Sequence, residues 1–484
     1  MALRLASPGI SVREVDLTRG GVDFTLNVVG GIAAPFAKGP CNEITRINNE
    51  NELVEVFGKP GVGTTDYHYE TWYAASNFLS YGGKLDVVRC VGGDLNTANV
   101  AVGLANTTLL LEGLEDYNNN QADDTNWYFA AKNPGNWAEN IKVAVIDNAA
   151  DQTITPTLET GTIAATKVGF AVTQHLTGNT IGVGTVTAAT GILKGVVTGK
   201  TATTIDVKVV STVIGGSETL VDYQQNSQLE FKTGTMLNIV NNSGTTVGKS
   251  STVTSVDWYN SQNILTSVAD GGSDFTTLKW RAVLNKPQTN NYVSKRDGTN
   301  DAIHVVVVDA GGGVTGNVGS ILEKFPNLSK AKDGVASGNE AIFYKDFLAN
   351  NSEYIFSGAH VTNADDSHHG TLVLPGGITG FTSITAAEGA WGQDAKNIKF
   401  SSIGNQGYSL TGGLDYTGVG VYNAPLGDVL TSYEKFTDPV DSDIRFLLQG
   451  GCSGSKEEEQ AKANKLISIA EGRKDCVAVI SPNR

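Results

Sequence analysis

Between about residues 94 and 288 the chain is poor in charge. Polar and apolar residues there alternate in short runs, among them TVTAAT at 185–190, TIDVKVV at 204–210 and SSTVTSV at 250–256. A period of two sends successive side chains to opposite faces, which a strand satisfies and a helix does not. Val and Thr branch at Cβ and suit the pleated surface, and Gly-containing turns separate the runs at short intervals. The stretch is therefore expected to form one or more antiparallel β domains, a sandwich or a small barrel, inserted into a chain of different character. The 57 Gly against 12 Pro agree with a turn-rich, sheet-built protein rather than a helical bundle.

On either side the pattern changes to alternating strands and helices. Thr25–Ala33 and Glu43–Ile47 read as strands around a Lys38-Gly39-Pro40 turn. Asn49 is placed to cap a short helix with Glu52 three residues on, Leu53, Val56 and Phe57 on one face, and Gly58 to end it. A longer helix begins near Asp66, sets Tyr69, Trp72, Tyr73, Ser76 and Leu79 on one side, and stops at Gly82-Gly83 before a strand at Leu85–Val91. After the β-rich stretch, Ile303–Val308 is an uninterrupted apolar strand, Asn317–Phe325 reads as a short helix, and Ala341–Phe347 as an aromatic-rich element. A strand at Arg445–Leu448, a helix at Lys456–Gly472 and a strand at Cys476–Ile480 complete a βαβ unit. That last helix carries Glu457, Glu458 and Glu459 in its first turn and basic residues at its end, matching the helix dipole. Its buried face is expected to be Ala463, Leu466, Ile467 and Ala470. The fold class is thus α/β (α+β) and multidomain: a discontinuous core with an inserted β-rich domain. Residues 1–23 form an N-terminal arm, 24–93 the first part of the core, 94–288 the insert and 289–484 the second part.

The formal net charge of −15 on 484 residues argues against nucleic-acid or anionic-membrane binding, both of which need clustered Lys and Arg. No apolar stretch approaches the length of a membrane span, and MALRLASPGI lacks the apolar core of a signal peptide. The four cysteines, Cys41, Cys90, Cys452 and Cys476, form no CxxC pair and read as free thiols.

Several patterns invite an enzymatic reading. Gly311-Gly312-Gly313-Val314-Thr315-Gly316 matches GxGxxG directly after an apolar strand, with Asp333 near the spacing of a ribose-binding acid. Asp309 would repel a pyrophosphate there, and Pro326 leaves room for only a short helix, so a structural turn is the favoured reading. GVVTGKT at 195–201 and GTTVGKS at 244–250 are each one residue short of a phosphate-binding loop and lie in the β-rich stretch, where they read as hairpins. His360, Asp365, Asp366, His368 and His369 are metal-ligand types without helical ligand spacing, and read as a polar loop. His304, inside an apolar strand, reads as a core residue. No catalytic residue, cofactor-binding residue or metal ligand is assigned, and no cofactor is expected.

A collinear set of segments resembles the contractile-tail sheath proteins of myophages, in their T-even-like branch. The segments are SPGISVREVDLT at 7–18, Gly30-Gly31 through Lys38-Gly39-Pro40, ELVEVFGKP at 52–60, ASNFLSYGGKLDVVRCV at 75–91 and AKNPGNWAENIKV at 131–143. They continue with VVVVDAGGGVTGNVGSILEKFPNLSKAKD at 305–333, YSLTGGLDY at 408–416, and the stretch from FLLQGG at 446 to the end. The resemblance implies a structural subunit, not an enzyme, that polymerises as stacked hexameric rings around a tail tube and contracts to drive the tube through a host envelope. Its implied partners are itself, the tail tube protein, and baseplate and tail terminator proteins, with no nucleic acid and no membrane insertion. Its implied place is the virion, after assembly in a host cytoplasm. The N-terminal arm would exchange strands with neighbouring subunits through Ser7, Pro8, Gly9, Ile10, Val12, Val15 and Leu17, and the β-rich insert would protrude outward. A sheath of a non-viral contractile injection system and a nucleotide-binding enzyme using residues 311–316 are the alternatives. Two departures stand out: Ala138-Glu139 replaces a glycine usual in the family, and family chains continue beyond the point matched by Arg484. The chain is accordingly expected to be an N-terminal fragment, monomeric or weakly associating on its own.

Overall fold

In the computed structural model the described residues are 28–60, 68–93, 95–101, 108–122, 124–139, 141–176, 180–181, 184–185, 191–227, 229–233, 237–241, 244–264, 278–361, 388–416, 424–451 and 456–481. The chain divides into two units, residues 1–92 with 419–484, and residues 93–418.

The first unit is built on a five-stranded sheet that pairs the two ends of the chain. β1 (Val29–Ala34), β2 (Ile44–Ile47), β3 (Lys84–Arg89), β22 (Phe446–Leu448) and β23 (Val477–Val479) lie in the order β2-β3-β1-β22-β23. All neighbours are parallel except β2 and β3. Every residue of β1 is buried, as expected of a strand covered on both faces. Its two glycines set how closely the covering layers approach. A Cβ on Gly30 would stand 2.8 Å from the Phe78 ring, and one on Gly31 would stand 3.1 Å from Ile444 and 3.2 Å from Phe436. α1 (Glu50–Phe57) starts as its sequence dictates: Asn49 Oδ1 accepts from the Glu52 amide at 2.9 Å, and Glu52 Oε2 accepts from the Asn48 amide at 2.8 Å. Gly58, at φ 83°, ends it. α2 (His68–Ser80) buries Trp72, Ala75 and Leu79 and leaves Tyr69 and Tyr73 exposed. α8 (Leu426–Glu434) and α9 (Lys456–Arg473) complete the unit.

α9 buries Lys462, Leu466, Ile469 and Arg473 rather than the expected Ala463, Leu466, Ile467 and Ala470; Ile467 is exposed. The stripe has turned because two charged side chains find polar partners inside. Lys462 Nζ donates to Gly451 O at 2.9 Å. The Arg473 guanidinium donates to Phe436 O, Asp438 O, Ser442 O and the Asp475 carboxylate. A long side chain so satisfied covers apolar surface as well as an aliphatic one.

In the second unit, β4 (Asn99–Ala101), β5 (Trp127–Ala131) and β18 (Ile355–Ser357) form a three-stranded antiparallel sheet, accompanied by α3 (Leu114–Asp116) and α7 (Tyr344–Asn351). β6 (Ile141–Asp147), β16 (Ala302–Asp309), β17 (Ser320–Ser329) and β21 (Asn405–Ser409) form a four-stranded antiparallel sheet, ordered β17-β16-β6-β21. β16 is wholly buried because its alternate residues enter two cores. Ile303, Val305 and Val307 join one with Phe129 and Tyr344, and Val306 and Val308 join another with Trp258 and Trp280.

The segment read as a helix at Asn317–Phe325 is instead strand β17, which returns antiparallel to β16. Pro326 is accommodated in a bulge: Phe325 pairs with Val305 and Leu328 with Ile303, so Pro326 owes the ladder no N–H. The neighbouring Asn327, at φ 52°, sends its N–H to His304 Nδ1 at 3.0 Å.

Residues 152–257 form the large antiparallel sheet that the alternating runs predict. β7 (Gln152–Thr160), β8 (Ala171–Leu176), β11 (Gly191–Lys200), β12 (Ile205–Ile214), β13 (Ser217–Leu220), β14 (Leu237–Val240) and β15 (Thr246–Asp257) are ordered β11-β8-β14-β15-β7-β12-β13. β11 also pairs with β12, so six strands close into a barrel with β13 added outside. Val172, Leu193, Val197, Val207, Phe231 and Ile239 help fill it. Small elements remain: the strand pairs β9 (Thr180–Ile181) with β10 (Gly184–Thr185) and β19 (Glu388–Gly389) with β20 (Lys399–Phe400), and the single turns α4 (Trp258–Ser261), α5 (Trp280–Val283) and α6 (Asn291–Ser294). The protein is thus mixed α/β with several sheets.

Beneath the four-stranded sheet lies an ion pair with no solvent exposure on either side chain, Lys330 Nζ to Asp147 Oδ2 at 2.9 Å. Lys330 also donates to Asn300 O and Ser401 O, and Asp147 accepts from the amides of Ile403 and Gly404. Removing one partner strands the other charge in the interior. Lys330→Met is expected to cost about 3–5 kcal/mol by urea denaturation, and a loss below about 1 kcal/mol would show that water replaces the lysine.

Candidate functional site

The sharpest sequence candidate, the glycine run at 311–316, is the tip of the β16–β17 hairpin and not the opening of a helix. Gly312 (φ 74°) and Gly316 (φ 79°) take left-handed conformations, and the Gly316 N–H donates to Gly312 O at 2.9 Å. Asp309, at the end of β16, is almost fully buried. Its Oδ2 accepts from the Val314 amide at 3.1 Å, the Thr315 amide at 2.7 Å and the Thr315 hydroxyl at 2.8 Å. The amide donors a nucleotide phosphate would need are thus held by a carboxylate of the protein itself. Without a following helix there is also no helix N-terminus to face an anion. Asp333 is engaged elsewhere, accepting from the Tyr292 hydroxyl at 3.1 Å and the Ala395 amide at 2.8 Å.

The other candidates resolve in the same direction. Residues 195–200 lie within β11, and residues 246–250 open β15. Lys200 Nζ donates to Thr166 O at 2.7 Å, a backbone cap and not a phosphate contact. His360 Nδ1 pairs with the Tyr344 hydroxyl at 2.9 Å, while Asp365, Asp366, His368 and His369 lie outside the described residues. Among the described residues no group of three or more His, Cys, Asp or Glu could hold a metal ion. Cys41 and Cys90 are buried thiols outside any disulfide, burial pushing Cys90 up to about 12, and Cys452 lies outside the described residues. The arm residues Ser7, Pro8, Gly9, Ile10, Val12, Val15 and Leu17 also lie outside them.

His304 is a satisfied core residue. Nδ1 accepts from the Asn327 amide, so the proton sits on Nε2, which donates to Asn285 O at 2.6 Å. Burial holds the imidazole below its ordinary value.

Sequence reasoning missed the charged groups in the interior. Arg89 is buried in the first unit with no carboxylate on it among the described residues, donating to Phe36 O at 2.7 Å, Gly39 O at 2.8 Å and Ala37 O at 3.1 Å. It ties down the turn at Lys38-Gly39-Pro40. The available signal was an arginine closing the strand KLDVVR, which also buries Asp86.

The fold and these sites define a sheet-built scaffold in which the candidate groups described above are engaged by the protein's own backbone and side chains. Along its full length the chain is similar to the tail sheath protein of Enterobacteria phage T4, at 24% identity over 501 aligned positions that cover 100% of this chain and 62% of that one. It is also similar to the tail sheath protein of Vibrio phage KVP40, at 34% identity over 104 residues, 22% of this chain and 14% of that one. The resemblance to tail sheath proteins therefore extends over the whole chain, which spans less than two thirds of the length of these relatives. No family model matches. Among solved structures, the sheath tail protein Lin1278 from Listeria innocua is matched at 12% identity over 42% of this chain and 31% of that one. Its TM-score of 0.15 carries no argument about the fold.

Two outcomes are expected. Calorimetric titration with NAD or ATP gives no saturable heat, and micromolar binding abolished by Gly313→Val would overturn the reading of the hairpin. His304 makes the protein acid-sensitive. The unfolded chain takes up a proton as the pH falls through 6.5, the ordinary imidazole value, while the buried ring resists it. Stability is therefore full above that pH and declines below it. His304→Gln, lacking the imidazole, should lose this part of the pH slope in thermal melts.

Proposed function

We propose that the chain is a structural subunit of a contractile tail sheath, and not an enzyme. The observation that carries this reading is the similarity to the T4 tail sheath protein across every segment of the chain. In this reading a discontinuous core, formed from the two ends of the chain, supports a β-rich insert at about 94–288 that protrudes outward. Subunits stack as hexameric rings in a helical tube around the tail tube protein and meet baseplate and tail terminator proteins at its ends. The sheath is a virion component, assembled in the host cytoplasm. Its contraction draws on free energy stored in the extended lattice and hydrolyses no nucleotide.

The arm at Ser7–Thr18 is the connecting element. Ile10 and Val12, then Val15 and Leu17, fall two apart, so each pair would share a face when the arm is extended. Among the described residues β23 pairs only with β22, and its Val477 is 61% exposed. An outer strand with a free edge is a ready acceptor for an added strand. Heterologous contacts of this kind propagate along a helix, as a tube requires. Antibodies raised against this chain should decorate tail shafts along their whole length in electron micrographs of particles from cells that encode it. Labelling confined to soluble protein, with bare tails, would overturn the proposal.

A further inference from the structure

The barrel meets the rest of the second unit through two neighbouring chain connections. The chain enters β7 from Asp151 and leaves β15 at Asp257, and the Trp258 amide donates to Asp151 O at 2.9 Å, tying the two together. The barrel core and the core around Trp258 and Trp280 are separate hydrophobic clusters. Between them opens a cleft of about 710 Å³, lined from both sides by residues that include Lys208, Asp222, Tyr223, Asn285 and Lys286. Two adjacent connections beside an open cleft are the geometry a hinge needs.

The cleft is bridged by charge. The Asp151 side chain is 5% exposed. It accepts from the Val209 amide at 3.0 Å and from Lys208 Nζ at 3.0 Å, both on barrel strand β12. The second cation comes from outside the barrel: Lys286 Nζ lies 3.3 Å from Asp151 Oδ1 and donates to Ala150 O at 3.1 Å. We infer that Lys286 is a latch: its ammonium, locked onto Asp151 and Ala150, holds the barrel at one angle, and losing that charge frees the barrel to swing about the hinge.

The electrostatics fit a latch that can open. Burial, and then the neighbouring Lys208, lower Lys286, so its charge is easier to remove than that of a surface lysine. Burial alone would raise the Asp151 carboxyl, but Lys208 and Lys286 outweigh it and keep it below the ordinary range. The acid side of the latch therefore stays charged, while Lys286 loses its charge more readily than a surface lysine as the pH rises. The other charged or titratable groups around the cleft are Asp222, Asp257, Arg281, Tyr223 and Tyr259. Burial pushes both tyrosines well above the ordinary phenol range, so they remain neutral while Lys286 titrates. The latch does not depend on which assembly the chain joins.

Hydrogen exchange followed by mass spectrometry tests this on the whole chain. Lys286→Met keeps the stem and removes the charge. It should speed exchange at residues 148–151 and 207–210 by about tenfold or more, because a buried carboxylate has lost one of its two cations. Peptides of β8, β11 and β14 inside the barrel should keep their protection, and Lys286→Arg should restore it at the hinge. Raising the pH, with intrinsic rates corrected, should loosen the hinge of the parent chain before the barrel and produce no such step in Lys286→Met. Unchanged exchange at the hinge in Lys286→Met, or equal loss of protection in hinge and barrel, would overturn the latch.

Discussion

The Lys330–Asp147 pair is the constraint on which much of the second unit depends. Asp147 ends β6, Lys330 follows β17, and their remaining hydrogen bonds reach Asn300, Ser401, Ile403 and Gly404. Four segments distant in sequence are thereby fixed at one point with neither side chain exposed. A buried pair gives little net stability compared with apolar residues of the same shape. What it imposes is register. The three Lys330 donors and the Asp147 oxygens are all used, so a slip of any segment would strand a charge. With β6 set, β16 follows, and its alternate side chains enter the correct cores.

Much of the architecture was legible because it is written in local periodicity. Asn49, Glu52 and Gly58 bound α1 by cap chemistry that needs no tertiary context, and the period of two across 185–256 announces strands. What periodicity lacks is the partner. SILEKFPNLS carries no period of two and can be read as a helix up to its proline. Only the neighbouring β16, with a bulge that absorbs Pro326, makes it a strand. The same limit explains α9: apolar counting chose Ile467, while tertiary contacts gave Lys462 and Arg473 enough acceptors to be buried in its place. Barrel closure through β11 and β12 is a long-range fact with no local mark.

The candidate site was legible in a different sense. A glycine run after an apolar strand states only that the backbone must turn sharply. Whether the turned amides face a phosphate or a carboxylate depends on what the chain places opposite them. Here Asp309, two residues before the run, occupies that place, as its position in the sequence had suggested. The buried charges were not legible. Arg89, Lys330 and Asp151 look like surface residues by type, and their burial follows from carbonyls and amides contributed by distant segments.

These interior charges share one physical logic. Arg89 holds a turn by donating to three carbonyls, Lys330 and Asp147 lock a sheet, and Asp151 joins barrel and base by taking two lysines. They differ in exposure, and exposure decides what each can do. Lys330 and Asp147 are sealed at 0% exposure and can only be intact or broken. The side chains of Lys208 and Lys286 are 32% and 26% exposed at the wall of an open cleft, so water reaches the lysines, while the Asp151 side chain they share is 5% exposed. The sealed Lys330–Asp147 pair fixes the register of its own sheet, and the Asp151–Lys286 pair, open to the cleft on its lysine side, is the one the proposed latch releases.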